Sequence, residues 1–524
     1  MTIDSQWRRL DPRVIWIDGL YAALSLAPTG LTLLLLDEPG AAVLLPVLVA
    51  AAVGVFDAAR DGLRWWKTRY RLTDERVEIR TGLLVRKERS LPIDRIRSVS
   101  TTARLRHRLA GVRVVAVGTG QPGAAGSEAL HLDAVSRATA EELRRRLLTG
   151  TPGAIGSGAE PVPVGAEPRD PDPTSDAADD PAGDRTLARI RWSWLPHNVL
   201  GFWSLVTAAG LLWGGYATAG AFGFDAAGFV GGLLDWRALG PWWSAVIAGL
   251  LVGMLGVLGM AVAFVAENWG FRLARVRTAS GSVLRTTQGL LNTREVNRDE
   301  HRVRGVEISE PLLWRWMGTA DTNVVSTGLR IWSMHPATTI LPRGPVRVAR
   351  TVAAEVLELD EAQNPFRVPL RPHPPAALRR RIGWAVLATT ACVVVLLWLG
   401  EVVPALPDRI WLAGLGLLPP AVLAAVIAYR SLGHGIVGDY LVVRSGLLSR
   451  STTAVARPAV IGWRVRQSVL QRRLGLATLA ATTAAGHGWY AAIDVPAATA
   501  VAFAESAAPG LLTPILAEPA EHPT

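Results

Sequence analysis

A chain of 524 residues with 55 basic side chains contains only two lysines, Lys67 and Lys87, and a single cysteine, Cys392. The lone cysteine lies inside an apolar run, which excludes a disulfide framework and a cysteine-built metal site. Its histidines are no better placed for a metal. His107, His197, His301, His335 and His487 lie far apart, and no H-x-x-x-H or H-E-x-x-H spacing occurs. The chain has no G-x-x-x-x-G-K-[ST] phosphate loop and no G-x-S-x-G nucleophile elbow. Gly118-Thr119-Gly120-Gln121-Pro122-Gly123 looks like a phosphate loop only superficially, since its proline and the absence of a following helix suit a hairpin tip. Ionisable residues are absent from the middle of the long apolar runs, which argues against an ion or proton pathway. Together these absences predict no catalytic residue, no cofactor, no metal and no enzymatic activity.

What the chain does have is apolar length and positive charge. Half of its residues are hydrophobic, and the formal net charge is +11. The basic excess is arginine in an Ala- and Gly-rich composition and comes without a base-reading motif, so nucleic acid is not an expected partner. A basic surface facing an anionic membrane leaflet accounts for it more simply. Six apolar runs are long enough, or nearly so, to cross a bilayer of roughly 30 Å. They fall into hairpins within residues 14–60, 192–267 and 380–430. Trp16–Leu36 and Ala41–Phe56 form the first hairpin, with Asp18 near an interface. Leu195–Gly215 and Trp242–Ala266 form the second, joined by the Gly- and Phe-rich stretch Tyr216–Pro241. Ile382–Gly400 and Ile410–Tyr429 form the third, where Pro419-Pro420 should kink the last span. Arginine flanks the outer ends of every hairpin, as at Arg379, Arg380, Arg381 and Arg430, and acid sits in the turns of the first and third. The positive-inside rule therefore puts the N-terminus and all the intervening segments in the cytoplasm.

Those intervening segments repeat. R-T-G-L-L at Arg80–Leu84, T-Q-G-L-L at Thr287–Leu291 and R-S-G-L-L at Arg444–Leu448 each open an ungapped block. Gly82, Gly289 and Gly446 stand 29 residues ahead of Gly111, Gly318 and Gly475, and an apolar tetrapeptide begins at the same offset in each block. Arg108, Arg315 and Arg472 share one position, three before the closing glycine. Such agreement predicts a triplicated domain at residues 68–149, 270–359 and 435–510. In the first copy, alternating Val77 and Ile79, the β-branched run Val112–Val117 and Leu130–Leu132 predict strands. Ala103–Ala110 predicts a short basic helix with Gly111 as its stop. Ser136–Leu148 predicts a closing helix, with Thr139 and Glu142 spaced as a capping box. Residues 150–185 form an acidic Pro/Gly/Ala linker that cannot bury enough surface to fold.

R-x-G-L-L followed by Arg466-Gln467-Ser468-Val469-Leu470-Gln471-Arg472-Arg473-Leu474-Gly475-Leu476 resembles the second bacterial pleckstrin-homology (PH) domain family. The whole arrangement looks like the YdbT-like membrane proteins of that family. Copy one keeps Leu91-Pro92-Ile93-Asp94-Arg95-Ile96 but has Thr101-Thr102 near the Gln-Ser position. Copy two, with Glu310-Pro311-Leu312-Leu313-Trp314-Arg315-Trp316-Met317, is the most divergent. The resemblance implies three small PH-like β-domains, each closed by a C-terminal helix and alternating with three transmembrane helical hairpins. The expected setting is the bacterial cytoplasmic membrane, spanned several times, and a linked expectation is a smaller membrane partner of the same domain family or self-association. The resemblance carries no catalytic residues.

The repeat glycines Gly82, Gly111, Gly289, Gly318, Gly446 and Gly475 are expected to allow tight turns. Arg108, Arg315, Arg466, Arg472 and Arg473 are candidate contacts to an anionic surface or acidic ligand. The competing reading has such arginines pairing with helix C-terminal carbonyls or lying on the membrane. The function that fits is a membrane scaffold whose cytosolic domains bind a partner protein, peptide or lipid. The alternative is a transport or export component that protects the envelope against toxic peptides, for which residues such as Ser204, Thr207 and Thr389 would line a wet cavity.

Overall fold

A computed structural model describes residues 7–13, isolated positions between 15 and 27, 41–73, 75–81, 87–92, 98–118, 130–149, 184–199, 202–278 without 222, 234 and 235, 281–327, and 338–512 without 405 and 408. Most of the expected span Trp16–Leu36, together with Asp18, Gly82 and the linker up to residue 183, lies outside the described residues. The chain divides into two compact units, Met1–Glu300 and His301–Thr524.

In the first unit, β1 (Arg8–Arg9) is followed by α1 (Ala41–Lys67), which carries the expected apolar run on through Asp57, Arg60 and Arg64. The Trp65 indole N–H donates to the Leu10 carbonyl at 2.9 Å and ties this helix to the strand. β2 (Arg69–Leu72), β3 (Arg76–Thr81) and β4 (Lys87–Pro92) complete an antiparallel sheet in the order β1-β2-β3-β4. β5 (Ser98–Arg104), α2 (Leu105–Leu109), β6 (Val112–Gly118), β7 (Leu130–Ser136) and α3 (Arg137–Thr149) follow. Strand alternation puts Tyr70, Val77 and Ile79 of the first sheet against Val99, Val115, Val117 and Leu132, with Ala140 and Leu143 of α3 closing the core. The cap of α3 is Ser136, whose hydroxyl accepts from the Thr139 N–H at 3.1 Å. The Thr139–Glu142 box read from the sequence is therefore one turn too late.

β8 (Arg185–Arg189), in the stretch read as a basic flank, is a strand. Helices α4 (Leu195–Val199), α5 (Phe202–Ala221), α6 (Ala226–Leu233) and α7 (Trp236–Asn268) come next, so much of the expected Tyr216–Pro241 connection is helical. α5 and α7 approach closely at Gly256, where a Cβ would lie 2.0 Å from the Ser204 carbonyl oxygen. β9 (Arg272–Thr278), β10 (Gly281–Gln288) and β11 (Asn292–Asp299) then join a seven-stranded sheet in the order β7-β6-β5-β11-β10-β9-β8.

The second unit opens with β12 (Val303–Pro311), α8 (Leu312–Arg315), β13 (Thr319–Ser326), β14 (Thr339–Pro345) and α9 (Val346–Val356). Three helices follow: α10 (Pro375–Val402), α11 (Trp411–Gly416) and α12 (Leu418–Arg430). The last two meet at Leu417, and Pro419-Pro420 sits in the first turn of α12, where an N–H is not needed. β15 (Gly433–Val437), β16 (Tyr440–Ser445) and β17 (Ser449–Ala456) pair onto β12 in the order β14-β13-β12-β17-β16-β15. β18 (Gly462–Arg466), α13 (Val469–Arg473), β19 (Leu476–Thr482) and β20 (Trp489–Pro496) form a three-stranded sheet, and α14 (Ala497–Ala507) closes its face. Leu441, Val443 and Val455 of one sheet pack on Leu479, Tyr490 and Val495 of the other, with Phe503 and Ala504 above them.

Three helical stretches among the described residues are long and apolar enough to cross a membrane: Ala238–Asn268, Pro375–Val402 and Trp411–Arg430. A fourth, Trp192–Val199 with Ser204–Gly220, is bent by 79° at its break.

A buried carboxylate fastens α10 to the β-sheet beside it. Asp494, fully buried and at φ 64°, accepts from Arg380 at 2.9 Å, Arg381 at 3.2 Å and the Gln471 amide at 2.9 Å. Nearby, the His373 and His434 rings stand edge to face at 4.8 Å, and His434 meets Phe503 at 4.9 Å. Burial pushes both imidazoles down to about 4, helped at His373 by His434 and at His434 by Arg371. Arg381, Arg444 and Asp494 also act on His373, the carboxylate in the opposite sense.

Replacing Asp494 by Ala leaves two arginines and an amide without their acceptor and should cost about 3–5 kcal/mol, as removal of one partner from a buried ion pair does. A denaturant titration of the second unit's transition in detergent checks this; an unchanged midpoint would refute the assignment. The histidines predict a pH dependence. The unfolded chain takes up protons near pH 6.5 that the folded state refuses until about 4. Stability is thus complete above about pH 6.5 and declines as the pH falls toward 4. The thermal transition should drop over that window, and less steeply in a His373→Phe/His434→Phe chain.

Candidate binding surface at the strand junctions

The three blocks read from the sequence adopt the same series: three strands, then a strand, a short helix, two strands and a closing helix. Gly111, Gly318 and Gly475 follow the short helices at φ 64–68°, which makes each a left-handed helix stop. Gly289 and Gly446 turn β10 into β11 and β16 into β17 at φ 107° and 121°. A Cβ at either would come within 2.1 Å of a backbone oxygen, so only glycine fits.

The fourth strand of one block pairs with the third strand of the next. β5 pairs with β11 and β12 pairs with β17, both antiparallel. The register is the same at both junctions. Thr293, four residues after Gly289, faces Ala103, eight before Gly111. Arg450, four after Gly446, faces Glu310, eight before Gly318. Glu310 is buried and pairs with Arg450. Ser451 donates to Glu307, and the Ser309 and Ser449 hydroxyls share a hydrogen bond. Burial, with Arg450 close by, pushes the guanidinium groups of Arg315 and Arg444 below their usual range.

The candidate arginines divide by junction. Arg108 donates to the Leu290 carbonyl at 2.6 Å, just after the Gly289 turn of the neighbouring block. Arg315 donates at 3.4 Å to the Ser431 hydroxyl and to the Glu310 carbonyl. Arg108 thus straps the first block to the second, and Arg315 ties the second block to the end of α12. Arg472, at the same position of the third block, is exposed, as are Arg466 and Arg473, and none of the three side chains has a hydrogen bond or ion pair among the described residues. The helix carrying Arg472 and Arg473 is well held, since Ser468 and Gln471 form a capping box. Sequence reasoning missed Asp494, Gln471, Glu310 and Arg450. Gln471 stands in the very motif that carried the family resemblance, but its partner lies 23 residues on. Among the described residues no cluster of side chains could hold a metal ion.

Glu310→Ala should weaken the β12–β17 junction by about 3 kcal/mol by stranding Arg450. Hydrogen exchange at Ser449–Ala456 would rise; protection equal to the unaltered chain would show that the ion pair contributes nothing there.

Residues 24–151 and 385–505 match the family model described as Bacterial PH domain, which leaves the divergent middle block outside the match. No curated protein and no solved structure matches the chain. With the first and third blocks carrying both the match and the strand-and-helix series described above, the chain contains two bacterial PH-domain regions.

Proposed function

We propose that the chain is a non-enzymatic scaffold of the bacterial cytoplasmic membrane. Six spans in three hairpins hold three PH-like domains in the cytoplasm, where they bind a partner protein. The family supports a membrane-associated binding role, and the long apolar helices supply the anchor. The orientation is supported by Arg379, Arg380 and Arg381 at the start of α10 and Arg430 at the end of α12, which lie on one side of the third hairpin with its β-domain. One observation carries the binding role. Arg472 is exposed and without a partner among the described residues, while Arg108 at the same position is engaged with the neighbouring block and Arg315 with the end of α12.

The test is co-purification from native membranes in mild detergent, comparing the intact chain with one carrying Arg466→Glu, Arg472→Glu and Arg473→Glu. A partner protein held by the intact chain and lost from the variant, with the thermal transition unchanged, is the expected result. Identical company on both chains would mean that this basic surface binds nothing specific.

A further inference from the structure

Among the described residues the junction rule leaves two strands without a counterpart, β4 at the start of the series and β18 at its end. β5 and β12 each take the third strand of the following block, yet β18, the same strand of the last block, ends its sheet. Exposure follows. Val465 is 51% exposed, whereas Ile308 and Thr101, at the same distance from the closing glycine, are 1% and 5% exposed. Ile461 and Val469 flank it, also exposed. Arg464 and Arg466 project from the same strand with no partner among the described residues.

We propose that β18 is a docking edge for an acidic β-hairpin of another protein, which adds a strand as β11 adds to β5 and β17 to β12. The proposal rests on the scaffold reading and names the partner's chemistry. The common register fixes the geometry. The incoming strand runs antiparallel to β18 behind a glycine turn. Its fifth and seventh residues after that glycine face Arg466 and Arg464, and the Arg472 guanidinium reaches the turn carbonyl as Arg108 reaches that of Leu290. Main-chain pairing supplies affinity, and the opposed charges select the partner.

A second copy of this chain does not meet that requirement. Its own edge strand β4 would bring Lys87 opposite Arg466 and Arg89 opposite Arg464, and like charges directly opposite each other repel. The two basic residues therefore guard the edge against self-assembly while leaving it open to a strand with carboxylates at those places.

The probe is a cyclised hairpin of Tyr440–Ala456 sequence, itself the natural occupant of β12, with Ser451→Glu and Thr453→Glu at the fifth and seventh positions. Its binding to the full chain in neutral detergent is followed by hydrogen exchange at Gly462–Arg466. The expected result is protection of those amides by the Glu hairpin. A hairpin N-methylated along the pairing strand should give none, and affinity should fall on the order of tenfold in an Arg464→Glu/Arg466→Glu chain, which should prefer a Ser451→Lys/Thr453→Lys hairpin. Absence of protection, or equal binding of the Glu and Lys hairpins to the unaltered chain, overturns the proposal. So does protection of the same amides by phosphatidylglycerol vesicles alone, which would make the edge a membrane face. Efficient crosslinking between copies through Val465→Cys and Glu88→Cys would install a second copy and overturn it as well. If the hairpin fails while native membranes still enrich a partner on the intact chain, the β18 assignment falls and the scaffold reading stands.

Discussion

Pairing between the fourth strand of one block and the third strand of the next governs much of this molecule. A small sheet of three or four strands exposes its edge amides and carbonyls, and such edges invite uncontrolled association. Here each interior edge is covered by the neighbouring block in a fixed register, which makes the blocks mutually dependent. The middle block shows this most clearly: β9–β11 complete the sheet begun by β5–β7, while β12–β14 complete the one continued by β15–β17. Its two halves belong to different compact units, joined by the single turn at Glu300–Arg302. Residues at one repeat position then acquire distinct duties. Arg108 and Arg315 become straps, and Arg472, at the end of the series, has no side-chain partner among the described residues.

The membrane helices are tied to this arrangement by polar contacts as well as by chain connectivity. Arg380 and Arg381 serve the positive-inside rule in sequence, yet in the fold both guanidinium groups reach the carboxylate of Asp494 on β20. A buried carboxylate with two arginines and an amide is fully satisfied only in one arrangement of helix and sheet. The Tyr429 hydroxyl, donating to the His373 carbonyl at 2.9 Å, fixes the other end of the same hairpin to the segment that precedes it. The third block therefore has a set attitude to its anchor, which a flexible tether could not give.

How much of this was legible in the sequence follows from range. The repeat glycines, the short helix of the first block with its stop and the alternating strands are local features; the helix lies within two residues of its expected bounds, while β7 runs four residues beyond Leu132. The apolar spans at α7 and α10 declared themselves by length. The strand β8 did not, because Arg185–Arg189 is mostly charged and forms only by pairing with β9. The junctions were invisible for the same reason. Nothing within β5 says that it faces β11, 190 residues away at Thr293 and Ala103. Arg108 could be nominated from its position, but its acceptor in the next block could not.

Divergence among the blocks also acquires a physical meaning once the junctions are known. Ala103, Glu310 and Gln467 occupy one register position and differ completely in chemistry. Ala103 faces Thr293, whose hydroxyl donates to the Ala103 carbonyl. Glu310 faces Arg450 and pairs with it. Gln467 faces no strand, and its amide turns inward to the Leu476 carbonyl at 2.9 Å. A position that meets a fixed neighbour takes the side chain that neighbour requires, so copies of one domain must drift apart along their joined edges even while their cores stay alike. The basic, partly apolar β18 is the edge whose composition no neighbour among the described residues explains.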